Sequence, residues 1–228
     1  MKTIGLIGGM SWESTAQYYA LINRETARRR GGLHSAAIVI DSLDFAEIEA
    51  LQAQGDWAGA GERLAASARR LEAAGAQLLV LATNTMHIVA QDIQAAATIP
   101  FLHIADPTAD ALIEDGAKTV GLLGTRFTME MDFYKDRLRQ RGIEPIVPEV
   151  DRTNLDGIIY NELCRGIVSD ASRATYVAAI ERLGARGAQA IILGCTELGL
   201  LISDDDSPLP LYDTTALHAA NAVAQALD

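Results

Sequence analysis

Leu64 to Thr85 reads LAASARRLEAAGAQLLVLATNT, and Tyr176 to Glu197 reads YVAAIERLGARGAQAIILGCTE. The two stretches align without a gap, so Gly75-Ala76-Gln77 matches Gly187-Ala188-Gln189 and Thr83 falls opposite Cys195. A second echo lies upstream of each: Ile4-Gly5-Leu6-Ile7-Gly8-Gly9 resembles Val120-Gly121-Leu122-Leu123-Gly124-Thr125. A chain that repeats itself in this way is expected to fold as two similar half-domains. Set face to face, they would put the two polar strand ends on opposite sides of one crevice.

Working outward, short apolar runs alternate with helical patterns, the signature of parallel strands joined by crossover helices. The runs are 3–7, 36–40, 77–81, 101–104, 119–123, 143–147, 189–193 and a short 209–212, which is four strands per half. Asp106-Pro107 is read as an N-cap and first-turn proline, and Gly116 as the stop of that helix. A single helix is expected from Thr128 to Arg141, ending at Gly142. Another runs from Ala171 to Arg186, with Val177, Ile180 and Leu183 as its buried stripe and Gly187 as its end. The first half-domain is expected to comprise residues 1–105 plus 208–228, with the final helix returning to it, and the second 106–207. The fold class is α/β, each half a four-stranded, mainly parallel sheet flanked by helices.

Composition narrows the function. Hydrophobic residues make up 49% of the 228 and charged residues 21%, the balance of a folded domain. A formal net charge of -11 opposes a nucleic-acid or anionic membrane partner, because phosphate contacts need clustered Lys and Arg. The one basic run, Arg28-Arg29-Arg30, is read as cations at a helix C-terminus before Gly31-Gly32. No stretch approaches the roughly 20 apolar residues of a membrane span, and no cleavage pattern follows Met1, which points to the cytoplasm. Two cysteines without a CxxC, and histidines scattered at 34, 87, 103 and 218, suggest neither a disulfide framework nor a metal site. Asp204-Asp205-Asp206 is read as a solvated turn.

In doubly wound sheets ligands bind outside the carboxyl ends of the strands, so the residues that follow each strand carry the chemistry. Cys195 follows Ala190 to Gly194 and opens a segment read as a helix start. Such a position would lower the thiol pKa and make the sulfur a base or nucleophile. The opposing reading is a small buried hydrophobe. Thr83-Asn84-Thr85 offers hydroxyls and amides suited to a carboxylate, or simply an N-cap for the helix that follows. His87 is read as a packed, hydrogen-bonded residue. Gly5 to Ser11 has GxxGG rather than GxGxxG spacing, and Asp41 is only a loose ribose partner, so a dinucleotide site is disfavoured. Close backbone approach to a small anion would explain these glycines as well.

IGLIGGMSWEST at the start, then GGLHSA, DSLDFAEIE, ATNTMH, LLGTRFTME and LGCTELGLL, resemble the aspartate/glutamate racemase family, the cofactor-independent amino acid racemases. The resemblance implies two flavodoxin-like half-domains related by a pseudo-twofold axis, an active site in the cleft between them, an amino acid substrate, no cofactor, and a homodimer. In most of the family a cysteine stands before Asn-Thr in the first half and another before Thr-Glu in the second. One removes the Cα proton and the other returns a proton to the opposite face. Here the second is Cys195 and the first is Thr83, the two catalytic positions. Asn84, Thr85 and Thr196, with the amides near Met10 and Ser11, match the positions that hold the α-carboxylate. Thr125 lies at the equivalent strand end of the second half. Gln52 and Cys164 occupy the regions where family members carry an Arg and a Lys for the side-chain carboxylate. The branch resembled is the broad-specificity or L-aspartate/glutamate-preferring one.

Two other readings use the same residues. A single thiol suffices to protonate the carbanion left by decarboxylation of a small malonate. A binding protein would keep the cleft without turnover. A nucleotide-dependent oxidoreductase comes last, for want of a fingerprint.

Overall fold

A computed structural model describes all 228 residues. The chain forms two compact units, Met1–Ile104 with His218–Asp228, and Ala105–Leu217. Each is built on one wholly parallel four-stranded sheet flanked by helices.

The first unit runs β1 (Ile4–Gly8), α1 (Trp12–Arg30), β2 (Ile38–Ser42), α2 (Phe45–Gln54), α3 (Trp57–Ala73), β3 (Leu78–Leu81), α4 (Ala90–Ala96) and β4 (Phe101–Leu102), with strand order β2-β1-β3-β4. Successive strand residues face opposite sides of a sheet, and both sides here are covered. Ile7, Leu79 and Leu81 pack with Leu64, Ala68 and Leu71 of α3. Ile4, Leu6, Leu78 and Val80 pack with Tyr18 and Ile22 of α1 and with Ala219, Ala222 and Val223 near the C-terminus. Helix α3 buries Ala60, Leu64, Ala68 and Leu71, the spacing of one helical face. Ser11 caps α1 by accepting from Ser14 N, and Arg28 and Arg29 at its other end pair with Glu25.

The second unit runs α5 (Ala105–Glu114), β5 (Thr119–Gly124), α6 (Arg126–Glu130), α7 (Asp132–Arg139), β6 (Glu144–Ile146), α8 (Arg152–Asn161), α9 (Asp170–Ala185), β7 (Ala190–Gly194), α10 (Leu198–Leu201) and β8 (Leu211–Asp213), with strand order β6-β5-β7-β8; of α11 (Thr214–Leu227), the first turn belongs to this unit and the part from His218 on to the first. Leu123, Ile191 and Leu193 form its core with Leu155 and Ile159 of α8 and Ile180 and Leu183 of α9.

The duplication in the sequence is a duplication of contacts. Gln77 N donates to Thr3 O while its side-chain oxygen accepts from Thr3 N, and Gln189 repeats both bonds with Thr119. Ala76 N bonds Leu71 O at 3.0 Å, and Ala188 N bonds Leu183 O at 3.1 Å. A Cβ on Gly5 would stand 3.3 Å from Leu71 Cβ, and one on Gly121 would stand 3.3 Å from Leu183 Cβ. The small residue in the central strand thus lets the preceding helix lie close to the sheet, twice over.

Three expectations need correcting. Residues 208–217 stay with the second unit, because β8 pairs in parallel with β7 through Leu211↔Ile191 and Tyr212↔Ile192. The helix expected over 128–141 is two helices, broken at Met131, whose backbone is extended; the Lys135 ammonium takes the carbonyl of Glu130 at the break. Asp106 lies inside the first turn of α5 and pairs with Arg137 instead of capping the helix.

Gly9 has φ +90, and a Cβ there would run into the backbone of Leu43, whereas Gly187, at φ +95, faces open space. Gly187→Ala should therefore cost only left-handed strain, roughly 1–2 kcal/mol, and Gly9→Ala at least about twice that. Urea unfolding midpoints of the two variants compare the costs directly; equal midpoints would contradict the close approach at Leu43.

Candidate functional site

The strand order reverses direction between β1 and β3 in the first unit and between β5 and β7 in the second, and ligands of doubly wound sheets bind beyond the carboxyl ends there. In the first unit those ends are Met10-Ser11 and Thr83-Asn84-Thr85. They are tied together locally: Ala82 N bonds Ile7 O at 2.9 Å, and Ser14 Oγ donates to Ala82 O at 3.1 Å. All five residues are buried. Gln52, in the last turn of α2, is buried as well, and its amide donates to the Met86 thioether at 2.9 Å.

Thr83 is held by its own backbone. Its carbonyl accepts from His87 Nδ1 at 2.8 Å, and His87 Nε2 accepts from Ile104 N at 3.1 Å. These partners fix a neutral imidazole with its proton on Nδ1. His87 also stacks edge-on against His103, with ring centroids 4.5 Å apart. The histidine therefore positions the Thr83 segment, in line with its reading as a packed residue.

In the second unit Thr125 and Cys195 follow the paired ends Gly124↔Gly194. Thr125 caps α6, its side chain accepting from Thr128 N. Around Cys195 a carboxylate gathers three side chains. Cys195 Sγ donates to Glu197 Oε2 at 3.0 Å, Thr196 Oγ1 donates to the same oxygen at 2.7 Å, and Cys164 Sγ lies 3.7 Å from Glu197 Oε1. Cys195, Thr196 and Glu197 are all buried, and Cys164 is half-buried in the 3₁₀ turn after α8.

A profile of the Asp/Glu/hydantoin racemase family matches residues 7–222. The chain belongs to this family. A crystal structure from Yersinia pestis assigned to the Asp/Glu racemases is 52% identical with full coverage of both chains and a TM-score of 0.92. An aspartate racemase homologue from Pyrococcus horikoshii is 33% identical, again over both full chains, with a TM-score of 0.85. The broad specificity amino-acid racemase RacX of Bacillus subtilis is 27% identical over 68% of this chain and 67% of its own length. The chain is thus placed among amino acid racemases, which are isomerases.

Several local expectations change inside this racemase fold. The helix after Cys195 is α10, only four residues long, so no helix dipole of any length acts on the sulfur. Burial, the Glu197 carboxylate and Cys164 instead push the Cys195 thiol well above the ordinary thiol range. Asn84 makes no side-chain capping bond to the 3₁₀ turn Thr85–Val89. The glycines at the end of β1 accommodate the protein's own chain: a Cβ on Gly8 would meet Thr15 at 2.5 Å, and Gly9 faces Leu43. Asp41 is committed to Arg70 at 2.6 Å. The acidic run Asp204–Asp206 is a 3₁₀ turn capped by Ser203, with Asp206 3.2 Å from Arg173. An open polar cavity of about 820 Å³ beside α8 is lined by Glu130, Glu149, Arg152 and Asn161 among others, and none of the site residues above lines it. No helix is long and apolar enough to cross a membrane.

Glu197 falls within the strand-end segment that the sequence marks, but the sequence reading gives it no role. The available signal was a carboxylate two positions after a cysteine at the end of an all-apolar strand, where an acidic residue is costly unless it has partners.

His87→Phe keeps the ring and deletes both of its hydrogen bonds to the Thr83 carbonyl and the Ile104 amide. Leaving buried backbone groups unsatisfied should destabilise the protein by about 2–4 kcal/mol. Chemical denaturation followed by circular dichroism measures this, and an unchanged midpoint would show that His87 does not hold the segment.

Proposed function

We propose that this protein racemises an acidic amino acid, aspartate or glutamate, without a cofactor, and that Cys195 and Thr83 serve the two faces of the substrate's Cα. The supporting observation is the matched pair of buried polar strand ends. Thr83-Asn84-Thr85 and Cys195-Thr196-Glu197 occupy equivalent places in the two copies of one structural repeat, each directly after an apolar strand. Relatives whose names specify aspartate, Asp/Glu or broad amino-acid specificity favour a small amino acid.

In this reading the α-carboxylate rests against Asn84, Thr85 and Thr196, with the backbone amides near Met10 and Ser11, and Thr125 borders the same region. Backbone amides and hydroxyls stabilise the negative charge that spreads into the carboxylate when the Cα proton leaves. Gln52 and Cys164 approach the substrate side chain. A neutral amide and a thiol hold a carboxylate less tightly than a cation does, so discrimination between side chains is weak. The protein acts as a homodimer in the cytoplasm.

Thr83 does not mirror Cys195 chemically. An aliphatic hydroxyl is a far weaker acid than a thiol, so its conjugate base is essentially unpopulated near neutrality. Thr83 therefore acts as a relay, passing its hydroxyl proton to Cα as it takes another from water, so that no free alkoxide forms. Because free enantiomers have equal free energy, kcat/KM must be the same in both directions, and an apparent preference for one enantiomer arises only from saturation, slow turnover or unequal binding.

The reading predicts deuterium at Cα of L-aspartate or L-glutamate in D2O with no added cofactor, read by NMR, together with appearance of the D-enantiomer on a chiral column. Protium retained at Cα across all proteinogenic amino acids contradicts it. Release of CO2 from disubstituted malonates, without exchange, would point to the decarboxylase instead. Thr83→Cys should raise the rate in both directions by about tenfold or more, the scale of a positioned acid–base group.

A further inference from the structure

We propose that Arg126 and Arg165 select an acidic side chain, their guanidinium groups supplying at the rim of the Cys195 strand end the positive charge that the buried side chains there do not carry. The inference rests on the racemase reading of that strand end. It adds the residues that make aspartate or glutamate the substrate.

The requirement for charge comes first. An acidic amino acid brings two carboxylates and one ammonium to a chain whose own formal net charge is -11. Such a protein repels an anion at long range unless cations stand close to the site. The buried side chains at this strand end, Thr125, Cys195, Thr196 and Glu197, are neutral or acidic, and half-buried Cys164 adds only a thiol. Hydroxyls and amides answer for one carboxylate. The second has no cation among these residues.

The pairing of the arginines singles out two that can answer for it. The second unit holds nine arginines, and seven of them are in ion pairs with carboxylates. The remaining two are Arg126 and Arg165. Arg126 directly follows Thr125, at the end of β5, and Arg165 directly follows Cys164, whose sulfur lies 3.7 Å from Glu197 Oε1. The arginines of this unit that lack an acidic partner are thus the two beside its site residues.

Local structure keeps both cations available. The Arg126 amide donates to Asp156 Oδ1 at 2.7 Å, which fixes the backbone at the start of α6, and the guanidinium carbon lies 5.6 Å from the centroid of the Phe127 ring. A guanidinium resting on an aromatic face keeps its N–H edges free for a carboxylate. Arg165 closes the 3₁₀ turn Leu163–Arg165, its amide donating to Glu162 O at 2.9 Å, and its side chain is exposed. The Glu162 carboxylate is taken by the hydroxyls of Ser169 at 3.1 Å and Ser172 at 2.6 Å. In both places the neighbouring acid is committed to other donors, which leaves the cation for a ligand. Cys164 then holds a side-chain carboxylate only weakly, and the guanidinium groups add the attraction that it lacks. Because both arginines are exposed, that attraction is screened by salt.

The test is isothermal titration calorimetry of the whole protein with L-aspartate and with L-asparagine, whose side chain has nearly the same shape without the charge. Free enantiomers have equal enthalpy, so racemisation during the titration adds no heat of its own and the signal reads binding. Arg126→Gln and Arg165→Gln should each weaken aspartate by about threefold or more, and the double variant by about tenfold or more, with asparagine held within about twofold. Arg126→Lys keeps the charge without the planar fork and should fall between parent and Arg126→Gln. Raising sodium chloride from about 50 to about 500 mM should weaken aspartate in the parent and leave the double variant nearly unchanged, a response that a merely structural role would not give. Arg182→Gln, which removes an ion-paired arginine of the same unit, controls for net charge and should leave both affinities as they are. A double variant that binds aspartate within about twofold of the parent overturns the proposal. Equal losses for aspartate and asparagine overturn it too, as does a parent that binds aspartate no better than asparagine. Cα exchange in D2O separates this from the racemase reading. A parent that binds aspartate through these arginines but exchanges no Cα proton overturns that reading and leaves the selection in place, whereas exchange with an aspartate affinity indifferent to both arginines does the reverse.

Discussion

The register of the two central strand pairs is the constraint on which everything else depends. In a parallel sheet all carboxyl ends lie along one edge, and which side chains reach that edge is set by where each strand begins. Gln77 and Gln189 set that beginning, each bonding both polar groups of the residue that opens or precedes the neighbouring strand, Thr3 and Thr119. From those points the apolar strands run to Ala82 and Gly194, and the next residues are Thr83 and Cys195. A slip of one residue would turn these side chains to the other side of the sheet and bury polar groups among the helices.

That constraint creates a chemical asymmetry within a structural symmetry. Both strand ends are buried and polar, but each is organised by a different partner. At Thr83 the partner is a histidine that grips the backbone carbonyl and leaves the hydroxyl to its own surroundings. At Cys195 it is a carboxylate that accepts from the side-chain sulfur itself. In one copy of the repeat a histidine bonds the backbone, and in the other a carboxylate bonds the side chain. The electrostatics follow from burial: a carboxylate beside a sulfur in a low-dielectric site disfavours the thiolate much more strongly than it would in water.

Much of this was legible in the sequence because it is carried by periodicity. All eight strands lie where the short apolar runs place them, and helix ends follow from glycine punctuation such as Gly116 and Gly187. The repeat GAQ with its preceding leucine, the most informative local pattern, marks the same turn in both units. The errors have physical causes. The break at Met131 is invisible to periodicity because both halves are helix formers and only the extended backbone of one residue separates them. Strand β8 falls in the other half from the one expected because the pairing partner of a three-residue strand leaves no trace in its own sequence. At the site, residue identity at each strand end was readable, whereas the sign of the pKa shift at Cys195 was not. It depends on Glu197 and Cys164, one two residues away and one 31 residues upstream, meeting around the sulfur. A short α10, too small to exert a dipole, further removed the effect that local sequence suggested.

The central claim is that two different groups handle the two faces of Cα, with the sulfur of Cys195 on one of them. The most direct measurement is the deuterium content of both enantiomers at low conversion in D2O, starting separately from L- and from D-aspartate. The account predicts deuterium at Cα in the newly formed enantiomer, with the recovered starting enantiomer still essentially protiated. Equal deuterium in both from the earliest times, which is what a single group serving both faces would leave, would contradict it.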